Sequence, residues 1–447
     1  MKRKLVSLLL ATAVVVGCLT GCGTGGKENS NANEVVETTE MSAEETKEKA
    51  DTVLKWAVWD AKTTVYWQAL ADAYSEKNPN VKVELVDLGS QDYNTVLGTE
   101  LSGSGTDLDI VTMKDMPGYA TMVAKGVLEP LNEKVEADGI DLTQYKFATE
   151  YITPEGHIYN IPIRSDFYVL FYNKDIFDEA GVDYPTNDMT IEQYDELARK
   201  VAKTGFGDDR IYGTHYHPWK HIVQLFGILD GEKTILDGNY DFTTPYYEMV
   251  KGQEEDGICR SYIDTTAAQL HYSAAFAEGN TAMMPMGSWY VGLLNSGLAN
   301  GDYDSELCGN WGMVYYPHPD GVEAGAAFGS STGLTVPVAS DSKDEAWDFI
   351  KFASGEEGAE IMASTGNFPA LMTEKVIDTF VQLDSFPTDE ASKEVLKTTK
   401  VYLDFPFGEN VAEISTILDT YHKDIMNGDV SIEAGISKMN EEVSALE

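Results

Sequence analysis

Residues 158–172 read IYNIPIRSDFYVLFY, two apolar runs separated by Arg164, Ser165 and Asp166. Extended chain with a polar break in its middle predicts a strand that crosses between two lobes. The chain has 447 residues, more than the ~250 to 300 at which a single hydrophobic core usually stops growing. The stretch and the length together predict two bodies joined by extended chain.

The residues before this stretch alternate between strand and helix patterns. Strands are predicted at 54–58, 81–88 and 108–113, and helices at 66–74, at 93–101 and from Pro117 onward. Units of this length fold as a sheet covered by helices, and such sheets bind ligands in the loops beyond the strand ends. After residue 194 helical patterns dominate, with strands returning at 311–316 and 334–338 and a helical pattern at 343–364.

The N-terminus carries the pattern of a secretion signal. Three basic residues at 2–4 precede an apolar run at 5–16, and Leu19, Thr20, Gly21 and Cys22 form a lipobox. The run is too short to span a bilayer, which takes ~20 apolar residues. We expect 1–21 to be a lipoprotein signal peptide and Cys22 to carry the lipid; Cys18, after a weaker form of the pattern, is the alternative. The segment 22–50 has no aromatic residue and is predicted to be a flexible tether.

The charge balance is strongly acidic, with 32 basic and 74 acidic residues and a formal net charge of −42. Phosphates would be repelled, which argues against nucleic acid as a partner. The charge either keeps an exported protein soluble or attracts a cationic ligand, and composition does not separate the two. Cys259 and Cys308 either form a disulfide, which needs Cα atoms within ~7 Å, or are two buried thiols.

Several motifs together resemble one family. They are LKWAVWD at 54–60, DLDIVTMKD at 107–115, GVLEPL at 126–131, IPIRSDFYVLFYNKDIF at 161–177, AFAEGNTAMMPMGSWY at 275–290, and 333–352. In this order the chain resembles extracellular solute-binding proteins of ABC importers, in the carbohydrate-binding family that includes maltodextrin-binding protein. The resemblance implies an α/β, two-lobe, periplasmic-binding-protein-like fold with hinge strands and an interlobe ligand cleft. It also implies lobe one at 51–162 plus 312–340 and lobe two at 163–311 plus 341–447.

A sugar site needs aromatic rings for the C–H faces of the pyranose and carboxylates or amides for its hydroxyls. The resemblance implies a ring stacked on sugar at Trp289 and hydroxyl-binding carboxylates at Asp115 and Asp166. The structural alternatives to ligand contact are a helix cap for Asp115, a counter-charge role for Arg164 toward Asp166, and core positions for the tryptophans. The full set of predicted ligand contacts is Trp59, Asp60, Asp115, Arg164, Asp166, Tyr216, Trp219, Trp289, Phe328 and Asn367.

These features predict a monomeric receptor, anchored by lipid at the extracellular face of the membrane. We expect it to bind a mono- or oligosaccharide and deliver it to the permease subunits of an ABC transporter, without a cofactor and without being an enzyme. A receptor for a polyamine or peptide and a lipid-anchored glycosidase are the alternatives. His215, His217 and His221 have H-x-H-x3-H spacing, but we predict no metal site and no G-x-S-x-G motif, and the H-E-x-x-H, C-x-x-C and Walker motifs are absent.

Overall fold

A computed structural model describes residues 52–446 except 104, 206, 208 and 399. The predicted signal peptide, the lipidation site Cys22 and the tether lie outside the described residues. Among the residues described, no helix combines the length and apolarity that crossing a bilayer requires.

The strands are β1 (Thr52–Val58), β2 (Val81–Asp87), β3 (Ile110–Met113), β4 (Ile161–Asn173), β5 (Met283–Gly287), β6 (Trp311–Tyr315), β7 (Ala327–Thr335) and β8 (Val401–Leu403). The helices of the first half are α1 (Tyr66–Lys77), α2 (Tyr93–Ser102), α3 (Met116–Ala124), α4 (Asn132–Ala137), α5 (Lys174–Ala180), α6 (Ile191–Val201) and α7 (His221–Gln224). They are followed by α8 (Thr244–Glu255), α9 (Tyr262–Ala267), α10 (Tyr272–Ala277), α11 (Tyr290–Asn300), α12 (Ser305–Cys308), α13 (Lys343–Ser354), α14 (Glu356–Ser364), α15 (Glu374–Val381), α16 (Glu390–Val395), α17 (Val411–Asn427) and α18 (Ile432–Ser444).

The sheet has the order β2-β1-β3-β7-β4-β5, with β6 also paired to β4 and β8 to β7. β1 pairs in parallel with β2 and β3, and β7 joins β3 antiparallel. We call the body around β1–β3 the first lobe and the body around β5 and β6 the second lobe. The predicted α/β class with two lobes and crossing strands is confirmed.

β4 is the strand that the opening stretch predicted to cross between lobes. Its residues 161–167 pair with β7, whereas 168–173 pair with β5 and β6, so the polar break lies just before the change of partners. The register shifts between Pro162 and Arg164. An extra residue of this kind bends a strand and re-aims its side chains, and here it precedes the arginine that faces the cleft.

One predicted segment lies with a different lobe from the one assigned above. Phe349 of α13 packs edge-on against Trp56 of β1, with ring centroids 5.0 Å apart, and against Tyr74 of α1 at 5.2 Å. The helical pattern at 343–364, which the structure divides into α13 and α14, predicted an apolar face. The pattern did not indicate which lobe this face would cover. In the revised division that we propose, α13 belongs to the first lobe, not to the 341–447 part of lobe two.

Candidate functional site

A cavity of about 1390 Å³ opens between the two lobes. The first lobe lines it with the loop after β1 and with α3, and the second lobe with residues around Trp219, α10 and Trp289. Seven of the ten predicted ligand contacts line this cavity: Trp59, Asp60, Asp115, Arg164, Trp219, Trp289 and Asn367. Asp166, Tyr216 and Phe328 are not among its lining residues.

Trp289 forms an aromatic wall on the second lobe. Its ring lies edge-on to Tyr168 at 5.3 Å and 6.1 Å from Trp219, and its Nε1 donates a hydrogen bond of 3.1 Å to the Tyr272 hydroxyl. A Cβ at Gly287 would lie 2.0 Å from this indole, so only glycine fits there. The absence of a side chain at Gly287 therefore allows the ring to lie against the backbone there, and the ring is held from three sides while still lining the cavity.

Trp59 lines the same cavity from the first lobe, and Asp60 follows it at the rim. The Trp59 ring is 7% exposed and packs edge-on against Trp67 and Tyr93. Two cations lie over it, the Lys114 ammonium 5.3 Å and the Arg164 guanidinium 5.9 Å from the ring centre. Asp60 is exposed and has φ 47°, a left-handed conformation that aspartate tolerates better than most residues.

Asp115 caps α3 and also lines the cavity. Its Oδ1 accepts a 2.8 Å hydrogen bond from the Gly118 amide, and the Asn94 Nδ2 lies 2.9 and 3.0 Å from its two carboxylate oxygens. Asp115 therefore has the helix-capping role that was the predicted alternative to ligand binding. These bonds fix the carboxylate at the cavity wall, and acceptor capacity remains because each carboxylate oxygen has two lone pairs.

Asp166 lies behind Arg164 and outside the cavity lining. It is 1% exposed, its Oδ2 lies 2.6 Å from the Arg164 Nε, and its Oδ1 accepts a 3.0 Å hydrogen bond from the Ser288 hydroxyl. The Arg164 Nη1 donates to the Tyr66 hydroxyl at 2.9 Å. Burial raises the pKa of the Asp166 carboxyl, although Arg164 and Ser288 act in the opposite direction. The carboxylate therefore positions the arginine that does face the cavity.

Tyr216 and Phe328 are buried in the core beside the cleft. Tyr216 is 7% exposed, and Phe328 is fully buried and stacks on Tyr168 with ring centroids 4.3 Å apart. An aromatic residue in an apolar segment suits a core and a sugar site equally well, so the sequence could not separate these two rings from Trp219 and Trp289.

Charged residues that were not among the predicted ligand contacts also line the cavity. The Lys220 Nζ donates to the Ser415 hydroxyl at 3.1 Å and lies over the Phe405 ring at 5.1 Å. Asp404 follows β8, and its pKa is raised to about 7, first by burial and then by the negative charge of Asp115. Asp404 follows a strand of three residues, too short for a sequence signal, and only the fold brings it near Asp115.

The histidine cluster has no metal-binding geometry. Among the residues described, no group of three His, Cys, Asp or Glu side chains could hold an ion. His215 is buried without a hydrogen-bond partner for its ring, and burial lowers its pKa to about 3. His217 packs edge-on against Trp219 at 4.3 Å. The two cysteines left open above, Cys259 and Cys308, are both free and buried.

Residues 329–333, GSSTG, match the G-x-S-x-G spacing of a nucleophile elbow, so the prediction that this motif is absent is wrong. An elbow places its serine at a sharp turn between strand and helix. Ser331 instead lies within β7, is 1% exposed, and donates its hydroxyl to the Arg164 carbonyl at 3.0 Å. The match therefore provides no nucleophile.

Comparison with known proteins places the chain among binding proteins. The profile of a family described as "Bacterial extracellular solute-binding protein" matches residues 60–360. A solved structure described as a sugar transporter from Rhizobium etli, in an open conformation, is 45% identical, with a TM-score of 0.78 over 88% of this chain and 100% of that one.

Two named relatives are more distant. The arabinooligosaccharide-binding protein of Halalkalibacterium halodurans is 27% identical over 302 residues, 64% of this chain and 64% of that protein. The lactose-binding protein of Rhizobium radiobacter is 23% identical over 342 residues, 73% of this chain and 77% of that protein.

Proposed function

Because the chain belongs to the family of bacterial extracellular solute-binding proteins, as its motifs predicted, we propose that it is a carbohydrate receptor that delivers its ligand to an ABC transporter permease. The names of its relatives support a sugar, since they include a sugar transporter, an arabinooligosaccharide-binding protein and a lactose-binding protein. The lipobox ending at Cys22 supports an anchor of two acyl chains, which suffices to hold a protein on a membrane.

The arrangement of rings and carboxylates across the cavity is the observation that carries this proposal. Trp59 on the first lobe and Trp219 and Trp289 on the second line one cavity, together with Asp60 and Asp115. A pyranose between these walls would contact rings on its C–H faces and acceptors at its hydroxyls. Because both lobes would contact the ligand, binding would favour a closed form over an open one.

The size of the cavity favours an oligosaccharide over a single sugar. Its volume of about 1390 Å³ exceeds the ~300 to 1000 Å³ of common small-molecule sites. The volume beyond that of one sugar unit allows further units to lie along the aromatic wall at Trp289.

Isothermal titration calorimetry against mono- and oligosaccharides tests the proposal. Trp289→Ala should weaken binding of the best ligand by ~2 kcal/mol or more, about thirtyfold in Kd, because it removes a cavity-facing ring. Tyr184→Ala is the matched control, since Tyr184 is an exposed ring outside the cavity lining. Equal affinities for wild type and Trp289→Ala, with both folded, would reject the assignment.

Chromatography of the titrated sugars separates the receptor from the alternative glycosidase. A receptor returns every oligosaccharide intact after prolonged incubation, whereas a glycosidase releases shorter products. Membrane fractionation of Cys22→Ser tests the anchor, because loss of the lipid should release the protein into the soluble fraction.

A further inference from the structure

The cavity lining does not share the large acidic excess of the whole chain. Acidic residues outnumber basic ones by 74 to 32 overall. Four basic side chains line the cavity, Lys114, Lys125, Arg164 and Lys220, against three carboxylates, Asp60, Asp115 and Asp404. A site for a cationic ligand would show the opposite bias, so the cavity lining does not favour the polyamine or peptide alternative.

The lysines of this cavity are not paired with carboxylates. Within the described part of the chain, the ammonium groups of Lys114, Lys125 and Lys220 form no ion pair and donate instead to neutral oxygens. Lys114 donates to the Ser90 carbonyl at 2.5 Å. An ammonium has three donors, so each of these lysines retains donors for a ligand.

Two of the four cations converge beside one ring. The Lys114 ammonium and the Arg164 guanidinium both lie within 6 Å of the Trp59 ring centre, at 5.3 and 5.9 Å. Burial lowers the pKa of Lys114 and the positive charge of Arg164 acts in the same direction, whereas the nearby carboxylates of Asp115 and Asp60 raise it. Asp166 offsets the charge of Arg164 from behind, whereas no carboxylate of the described residues lies within ion-pair distance of the Lys114 ammonium.

We propose, on the basis of the proposed function, that the ligand is an anionic sugar or polyol whose carboxylate or phosphate binds between Lys114 and Arg164 beside Trp59. The guanidinium has five N–H donors and keeps some of them for such a group beyond those that face Asp166 and Tyr66, and the ammonium adds a point charge. Asp60 and Asp115 accept hydrogen bonds from the ligand's hydroxyls. The anion supplies the direct ion-pair partner that Lys114 lacks among the described residues.

Calorimetry with matched ligand pairs tests this assignment. The probes are glucose against glucuronate and glucose 6-phosphate, and a galactose disaccharide against the galacturonate disaccharide of the same linkage. We expect at least one acidic member to bind about tenfold more tightly than its neutral partner, and this advantage to shrink in ~0.5 M salt. The uronate and phosphate arms distinguish the two sources of the anion.

Variants at Lys114 locate the subsite. Lys114→Gln should reduce the acidic-to-neutral preference to about twofold or less, and Lys114→Arg should retain most of it, because the preference depends on the charge. Lys82→Gln removes the same charge from an exposed position on β2, outside the cavity lining, and should keep the wild-type preference.

The outcomes separate this inference from the proposed function. Neutral sugars that bind as tightly as their acidic partners would overturn the anionic ligand and leave the carbohydrate receptor standing. An acidic preference that survives Lys114→Gln would overturn the subsite. A protein that binds no member of any pair, nor any other sugar, would overturn both.

Discussion

Replacing Asp166 by asparagine should destabilise the protein by ~3 to 5 kcal/mol, because it removes the counter-charge of a buried guanidinium. The magnitude follows from burial: the side chains of Arg164 and Asp166 are 14% and 2% exposed. An exposed ion pair would contribute only ~0 to 1 kcal/mol. In the variant the arginine stays charged, since a guanidinium cannot release its proton in this pH range.

The reciprocal change, Arg164→Met, should behave differently because a carboxyl group can take up a proton. Burial already raises the pKa of Asp166, and loss of the arginine raises it further. The folded state then binds more protons than the unfolded state. The free energy of unfolding of this variant should therefore fall as the pH rises from about 5 to about 7, by up to ~1.4 kcal/mol per pH unit.

Urea unfolding followed by tryptophan fluorescence measures both effects without adding salt. Asp60→Asn is the matched control: it makes the same substitution at an exposed carboxylate and should change the free energy of unfolding by less than ~0.5 kcal/mol. The reasoning is refuted if Asp166→Asn costs less than ~1 kcal/mol, or if Arg164→Met shows the same pH dependence as wild type.

Three further predictions concern other parts of the chain. Gly287→Ala should weaken sugar binding strongly, because the new Cβ would lie 2.0 Å from the indole two positions on, whereas Gly205→Ala, with no atom within 4 Å, should not; calorimetry measures both. The pKa of Asp404 is raised to about 7 by burial, so ionisation of this group lowers the free energy of unfolding as the pH rises from about 4 to about 7. Asp404→Asn should remove this contribution and make the free energy of unfolding depend less on pH. Urea titrations at several pH values measure the dependence, and a dependence equal to that of wild type would contradict the prediction. Cys259 and Cys308 should react with a thiol reagent only after unfolding, because both are buried and burial raises the pKa of each; labelling of either in the native protein, found by mass spectrometry, would contradict this.

The sequence was informative where a property repeats along consecutive residues. The alternation before residue 113 predicted β1, β2 and β3 and the helices between them, and the run at 158–172 predicted the strand that passes between lobes. In each case the physical cause is local, since backbone geometry and side-chain periodicity act over a few residues.

The sequence was less informative where burial decides a role. Asp166 and Asp115 are both carboxylates that the resemblance assigned to the ligand, yet one is buried behind Arg164 and the other lines the cavity. Phe328 and Trp289 both lie on aromatic segments, and only the tryptophan lines the cavity. These differences depend on which layer of the fold a side chain enters, and periodicity does not carry that information.

The amino-acid sequence by itself determined the α/β class, the crossing strand and the family. Only the tertiary structure decided which charges share one cavity, because Lys114, Arg164, Lys220 and Asp404 come from segments far apart in the chain. A strand forms from interactions among neighbouring residues and their direct partners. A cavity forms where two lobes fail to fill the space between them, so its chemistry is set by packing across the whole molecule.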